Sequence, residues 1–436
     1  MSASSPRTVT ARPARRPGAV ERVARRLVER RLSALRGGRI KIHDADGARV
    51  VGAGGELPDA TLRVIDPRCY TRSVLAGSIG FAESYLRGEW EPDDLALLLR
   101  VFARDVARHR AGSWTHAAFA RPLLRLGHLL RRNTRAGSRR NIREHYDLGN
   151  AFYRLFLDDT MTYSCAVFTD PAATLREASI AKLDLACRKL GLGPEHHVLE
   201  IGTGWGSFAI HAARHYGCRV TTTTISPAQR ELAVERIRAA GLERRVEVLA
   251  RDYRDLEGTF DRLVSIEMIE AVGHEHLPAF FRACSDRLRP DGAMLLQAIT
   301  MPDRDYDAYR DAADFIQRYV FPGSSLPSLG AMTVAVADHT DFRIDGVESI
   351  GLHYAETLRR WRAAFEARLP EVRSLGFDER FVRLWRYYLC YCEAGFEERY
   401  VDDLQLVLAK PAWRGAAGDT ERATAVRAVA AREGVS

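Results

Sequence analysis

The stretch His197-Val198-Leu199-Glu200-Ile201-Gly202-Thr203-Gly204-Trp205-Gly206 constrains this chain more than any other. A short apolar strand pattern runs into three glycines at alternate positions, and a helical pattern starts directly after them. Glycines there let the backbone approach a ligand closely at the carboxyl end of a strand. The spacing is G-x-G-x-G, whereas the dinucleotide fingerprint G-x-G-x-x-G seats a pyrophosphate on helix amides. The turn therefore selects a nucleotide-like cofactor that brings no pyrophosphate. Strand-like segments at Val198 to Ile201, Arg219 to Ile225, Val246 to Ala250, Arg262 to Ile266 and Ala293 to Ile299 alternate with helical ones. Such alternation predicts an α/β fold on a parallel sheet. Two more strands are expected at Phe342 to Leu352 and Leu404 to Ala409, beside helices at Glu356 to Arg368 and Glu379 to Gly395.

Upstream the chain reads differently. Residues 1–38 form a basic arm with eleven Arg up to position 39, opposed only by Glu21 and Glu29. Within it Val20, Val23, Leu27, Val28, Leu32 and Leu35 recur at helical steps, which predicts an amphipathic helix that either lies on anionic lipid or packs on its own domain. Residues 39–120 are expected to make a smaller domain, with short strands over 39–75 and a helical pattern from Ile79 to Val106. Eight Arg and no acid between Arg121 and Arg143 mark a linker over 121–143. The main domain then occupies 144–410, and 411–436 is a loose tail. The apolar runs are far shorter than the ~20 residues of a membrane-spanning helix. With no signal-like apolar core near the start, the protein is expected in the cytoplasm. A net charge of +8 favours an anionic partner. Because 61 of the 65 basic residues are Arg, however, a single Arg says little. Seven Cys is an odd number; Cys69, Cys187, Cys218 and Cys284 read as core thiols, and the pair Cys390 and Cys392 lacks the partners of a metal site.

The acid two residues before the first glycine makes the turn E-x-G-x-G-x-G, which resembles the cofactor turn of class I methyltransferases, whose S-adenosylmethionine has no phosphate. The surrounding motifs resemble the cyclopropane fatty acid synthase family over about residues 77 to 410. They are Gly80-Phe81-Ala82-Glu83-Ser84-Tyr85, Met161-Thr162-Tyr163-Ser164-Cys165, Ile266-Glu267-Met268-Ile269-Glu270-Ala271-Val272-Gly273-His274-Glu275, Phe321-Pro322-Gly323 and Tyr391-Cys392-Glu393-Ala394-Gly395-Phe396, with His353, Tyr354, Thr357, Leu358 and Trp361 at the family's spacing. His145-Tyr146-Asp147-Leu148-Gly149-Asn150 matches except at Gly149, where the family has Ser. The resemblance implies a Rossmann-like sheet of seven mostly parallel strands with a smaller mixed α/β amino-terminal domain.

It also implies the chemistry. An alkene is a poor nucleophile, so a sulfonium methyl must be presented to it in a dry site, and the carbocation that follows needs apolar and aromatic walls. A base then removes a proton, giving a cyclopropane or, after a hydride shift, a methylene branch. In the family the base is bicarbonate, held by residues matching Cys165, Glu270, Gln297, Tyr354 and Cys392. At Gln297 several members have His; an amide still donates to an anion but cannot take the proton itself. Glu267 and Glu270 share a helical face, and one of them can serve only to cap or brace the site. For the cofactor the resemblance carries over Tyr163, Ser164, Glu200, Gly202, Gly204, Gly206, Thr224, Gln229, Asp252 and Tyr253. No metal is implied. Arg219 to Ile225 does not end in the usual ribose-binding acid, so Gln229 is expected to substitute.

The implied substrate is an unsaturated phospholipid acyl chain at an anionic membrane surface, reached reversibly from the inner face of the cell membrane; homodimer formation is left open. A nucleic acid methyltransferase would want an N-P-P-Y loop or a Pro-Cys nucleophile, and neither occurs. A small-molecule N- or O-methyltransferase would not need the amino-terminal domain, and a non-enzymatic membrane-binding protein would not keep the glycine turn.

Overall fold

The computed structural model describes residues 15–108, 148–310 and 313–415. The Arg-rich stretch 121–143, the His145-Tyr146-Asp147 part of one motif, most of the basic arm's first residues and most of the tail lie outside the described residues. The chain divides into two compact units, residues 1–123 with 379–387, and residues 124–378 with 388–436.

The first unit holds helix Ala19–Leu32 and strands β1 (Ile40–Asp44), β2 (Gly47–Val51), β3 (Ala60–Val64) and β4 (Trp90–Pro92), in the sheet order β2-β1-β3-β4. β1 pairs antiparallel with β2 and parallel with β3. The helical pattern expected from Ile79 to Val106 is in fact two helices, Arg68–Leu86 and Leu95–Arg108. Gly88 at φ +70 and Pro92 break it and free Trp90 to pair with Val64. The first of these helices kinks at Gly77 (φ 58, ψ −135). The kink brings the Arg72 carbonyl against Gly80, where a Cβ would sit 2.1 Å from its oxygen. The rest of that motif is packing: Phe81 stacks on Trp90 at 4.2 Å, and Tyr85 lies under Arg383 at 4.1 Å, whose guanidinium donates to the Tyr85 carbonyl.

The second unit is a seven-stranded sheet in the order β10-β11-β9-β8-β5-β6-β7. Its strands are β5 (His197–Ile201), β6 (Arg219–Thr223), β7 (Val246–Leu249), β8 (Phe260–Ile266), β9 (Leu288–Thr300), β10 (Arg343–Ser349) and β11 (Asp402–Ala409). β5 to β9 are parallel, and β11 runs antiparallel to both of its neighbours. This is the α/β, Rossmann-like arrangement that the strand alternation implies. Successive strand residues feed opposite faces. Leu199, Leu263 and Met294 join Phe280, Phe281 and Leu406 on one side, while Val198, Val264 and Leu295 join Leu183, Phe208 and Trp413 on the other. Because both faces are covered by helices, the central strands are buried at successive positions rather than at alternate ones.

The strand order reverses between β5 and β8. A crevice opens outside the carboxyl ends of two such strands, and the two most informative motifs follow them directly: the glycine turn after β5 and the Glu267 to Glu270 turn after β8.

Candidate active site

Gly202, Gly204 and Gly206 take φ values of +104, +50 and +85, a region that glycine enters without a Cβ penalty. At Gly202 a Cβ would press on the Met268 side chain at 3.2 Å, so this glycine lets the two turns of the crevice pack together. Around Gly204 the space is open. Glu200, the acid of the turn, is buried, and its Oε2 has no hydrogen-bond partner among the described residues. Burial pushes its pKa up to about 8. At the end of β6, Thr224 donates to Gln229 Oε1 (3.0 Å) and accepts from the Ser226 amide, which leaves the Gln229 NH2 group for a ligand. Asp252 is committed to Arg254, whose amide and guanidinium both donate to it. Tyr253 packs edge-on against Phe280. An orphaned buried carboxylate oxygen beside an open glycine turn fits a cationic cofactor such as S-adenosylmethionine.

The loop Met161 to Cys165 reaches the same region. Tyr163 shares a hydrogen bond with Tyr388 (2.9 Å) and faces Trp361 at 5.1 Å. Ser164 accepts from the ammonium of Lys182 (2.8 Å), a fully buried cation on helix Leu175–Lys189. Glu267, Asp403 and Glu200 offset the desolvation of that ammonium. Lys182 carries no family motif, yet a lysine inside the apolar run Ile180-Ala181-Lys182-Leu183, in a chain with only four, was a legible signal.

Cys165, Gln297 and Tyr354 converge on one point, and the carboxylate there is Glu267. The Cys165 amide donates to Glu267 Oε1 at 2.7 Å, Gln297 Nε2 donates to the same oxygen at 2.8 Å, and the Tyr354 hydroxyl donates to Oε2 at 2.6 Å. Glu267 is held at φ +47, in the left-handed region. Glu270, expected in this role, accepts instead from the Ile299 amide at 2.7 Å. Its second oxygen has no partner among the described residues, and burial next to Glu267 pushes its pKa up to about 8. Cys392 sits on helix Glu379–Glu397, its thiol pushed up by burial and by Asp314, and no hydrogen bond joins it to Glu267. The Cys165 thiol is likewise held protonated by burial.

Behind the cage lies a second carboxyl that the motifs do not mark. Gln297 pairs with Gln405 across β9 and β11, and its Nε2 donates to Asp403 Oδ2 at 2.9 Å as well as to Glu267. Gln405 Nε2 donates to the Gln297 oxygen at 3.0 Å, and Gln405 Oε1 accepts from the ammonium of Lys189. Asp403 and Gln405 alternate on a buried strand, a pattern that signals a polar interior in the sequence. Burial beside Glu267 drives the Asp403 pKa well up, and Glu267 is raised too, restrained by Tyr354, the Cys165 amide and Lys182. A bicarbonate ion would require the donors of Cys165, Gln297 and Tyr354, all of which already hold Glu267. The residues present do not fit that ion.

Aromatic rings line the approach: Tyr354 stacks on Phe396 at 4.5 Å and meets Trp361 edge-on, and Phe321 bridges Tyr163 and Tyr388. Among the described residues no cluster of His, Cys, Asp and Glu forms a metal site.

Comparison with known proteins bears on the fold and the family. The family model of mycolic acid cyclopropane synthetase matches residues 133–406. A tuberculostearic acid methyltransferase of Mycobacterium tuberculosis is 41% identical over 89% of this chain and 91% of that protein. A cyclopropane-fatty-acyl-phospholipid synthase of Escherichia coli is 35% identical over 83% of this chain and 90% of its own length. A mycolic acid cyclopropane synthase solved in complex with S-adenosylhomocysteine superimposes with a TM-score of 0.59 at 35% identity, covering 62% of this chain and 98% of that one. The strand order, the glycine turn and the matched length together place the chain in the mycolic acid cyclopropane synthetase family, as an S-adenosylmethionine-dependent methyltransferase.

Proposed function

We propose that the enzyme adds one carbon from S-adenosylmethionine to the cis double bond of an unsaturated phospholipid acyl chain. The observation that carries this reading is a buried carboxylate, held by three donors, next to an aromatic shell built from Tyr354, Phe396 and Trp361. The cofactor supplies an electrophilic methyl group. Ring faces favour the cation that addition leaves on the chain, and the exclusion of water keeps that cation from being quenched. The cofactor would be held by Tyr163, Ser164, Glu200, the three glycines, Thr224, Gln229, Asp252 and Tyr253.

Loss of a proton from the new methyl closes a cyclopropane, the outcome that the name of the Escherichia coli relative suggests. Loss after a hydride shift gives a methylene branch. The higher identity and coverage of the tuberculostearic acid methyltransferase favour this second outcome.

The acyl chain is reached at an anionic membrane surface from the cytoplasmic side. No helix among the described residues is long and apolar enough to cross a membrane. Helix Ala19–Leu32 instead buries Ala24 and Leu32 while leaving Val20, Val23 and Leu27 exposed by 68%, 58% and 51%, among exposed Arg22, Arg26 and Arg30. Apolar side chains flanked by cations suit a surface of anionic lipid.

Incubation with vesicles of unsaturated phosphatidylglycerol and methyl-labelled cofactor, followed by mass analysis of the fatty acids, tests the reading. Label in the acyl chains is expected, and fragmentation separates a ring from a branch. Absence of label from the lipid would remove the assignment.

A further inference from the structure

We infer that the proton released after methyl addition is taken by the chain's own Glu267 carboxylate, paired with Asp403, in the place that the family resemblance reserves for a bicarbonate ion. The inference rests on the acyl-chain chemistry proposed above.

The hydrogen bonds decide which atom is basic. A carboxylate oxygen has two lone pairs in its plane. Oε1 of Glu267 spends both, on the Cys165 amide and on Gln297 Nε2, whereas among the described residues Oε2 spends one on Tyr354 and keeps one. Oε2 is therefore the proton acceptor. In the step, a C–H bond of the cationic chain breaks. Its electron pair becomes the last C–C bond of the ring, or the π bond of the branch, and the proton ends on Oε2. One positive and one negative charge are lost together, so a dry site favours the transfer.

The backbone at Glu267 supports the assignment. A non-glycine residue in the left-handed region is strained and persists where the surroundings over-determine it. Here that conformation turns the carboxylate onto the three donors.

The departure at Gln297 is explained by the same arrangement. A histidine ring nitrogen offers a single N–H in a given direction, but an amide NH2 offers two. Gln297 uses one for Glu267 and the other for Asp403, and Gln405 prevents the amide from flipping. Two carboxyls on one buried NH2 group cannot both be charged, so they hold one proton between them. Burial and the neighbouring Glu267 push the Asp403 carboxyl well up, which makes it the protonated member, and buried Lys182 offsets the charge of the other. Glu267 and Gln297 thus act together, an internal anion and the amide that bridges it to a second acid.

The test uses the full-length protein loaded with S-adenosylhomocysteine and titrated with bicarbonate by calorimetry, alongside turnover on unsaturated vesicles in buffer stripped of carbon dioxide. The wild type is expected to bind no bicarbonate and to turn over equally with and without it. Glu267→Gln should keep cofactor binding and lose at least ~100-fold in turnover, the usual scale of a general base. Glu267→Gly should open the place, bind bicarbonate and recover turnover only when bicarbonate is supplied. Saturable binding of bicarbonate by the wild type, a fall in its rate on removal of carbon dioxide, or near-normal turnover of Glu267→Gln would each overturn the inference. If no lipid is labelled under any condition, the acyl-chain reading fails, and the calorimetric comparison of wild type with Glu267→Gly still decides whether Glu267 occupies the anion's place.

Discussion

The phenol of Tyr354 donates to Glu267 Oε2 across 2.6 Å, from helix Gly351–Ala367 onto the turn that follows β8. This bond favours the charged carboxylate and so lowers a pKa that burial raises. Tyr354→Phe removes the bond and lets the Glu267 pKa climb. The acidic limb of the turnover profile should therefore move to higher pH, with a loss of about 10- to 100-fold at neutral pH, as expected for a hydrogen bond to a charged group. A pH-rate series of the two proteins checks this. An unshifted limb with reduced rate would mean that Tyr354 only packs.

Lys182 acts on the same carboxylate through charge, and its ammonium lowers the pKa of Glu267 and of Glu200. Lys182→Met should shift the acidic limb in the same direction as Tyr354→Phe. It should also lower the melting temperature, because a buried carboxylate is left without its countercharge. The pH-rate series and a thermal melt measure the two effects separately.

Glu200 predicts a proton linkage in cofactor binding. Its pKa in the free protein is about 8, raised by burial, and a cationic ligand favours the deprotonated form. Below pH 8, binding of S-adenosylmethionine should therefore expel a proton. Affinity should rise as pH rises towards 8 and then level off. Calorimetry in buffers of different ionisation enthalpy counts the proton, and Glu200→Gln should abolish the release.

Gly80 tests the packing of the first unit. In Gly80→Ala the new methyl meets the Arg72 carbonyl at 2.1 Å, with backbone rather than a flexible side chain in the way. Overpacking of this kind costs about 1–3 kcal/mol. A lowered first transition in differential scanning calorimetry is expected, with cofactor affinity unchanged.

Membrane docking is tested on helix Ala19–Leu32. Replacing exposed Val20, Val23 and Leu27 together by Ser should weaken sedimentation with anionic vesicles by at least ~10-fold, since each apolar side chain inserted contributes on the order of 1 kcal/mol or more. Raised salt should weaken binding of the parent protein further, through its Arg residues. Turnover on a detergent-dispersed substrate should be preserved.

Much of this was legible in the sequence because periodicity reports burial. The strands from His197 to Thr300 are short runs of apolar and β-branched residues bounded by turn residues, so their order along the chain reads directly. The helical pattern from Ile79 to Val106 misled because its break depends on φ at Gly88 and on Trp90 pairing with β3, and hydrophobic spacing reports neither. At the site, the motif around Glu267 and Glu270 was visible as a pair of acids, but which one meets Cys165, Gln297 and Tyr354 is set by a backbone conformation at Glu267 that residue type does not encode. Asp403 and Lys182 were missed because their partners lie 106 and 18 residues away, at Gln297 and Ser164. A charge in an apolar run marks a polar interior, but nothing in the local spacing names a partner so far along the chain.

The left-handed turn at Glu267 sets durability against output at a single position. Glycine there would relax the backbone and spare the interior a buried carboxyl, so a screen for heat resistance alone should enrich it while leaving the enzyme without an acceptor of its own and dependent on bicarbonate from solution. Any effort to harden this protein for use should hold residue 267 fixed and seek its gains elsewhere.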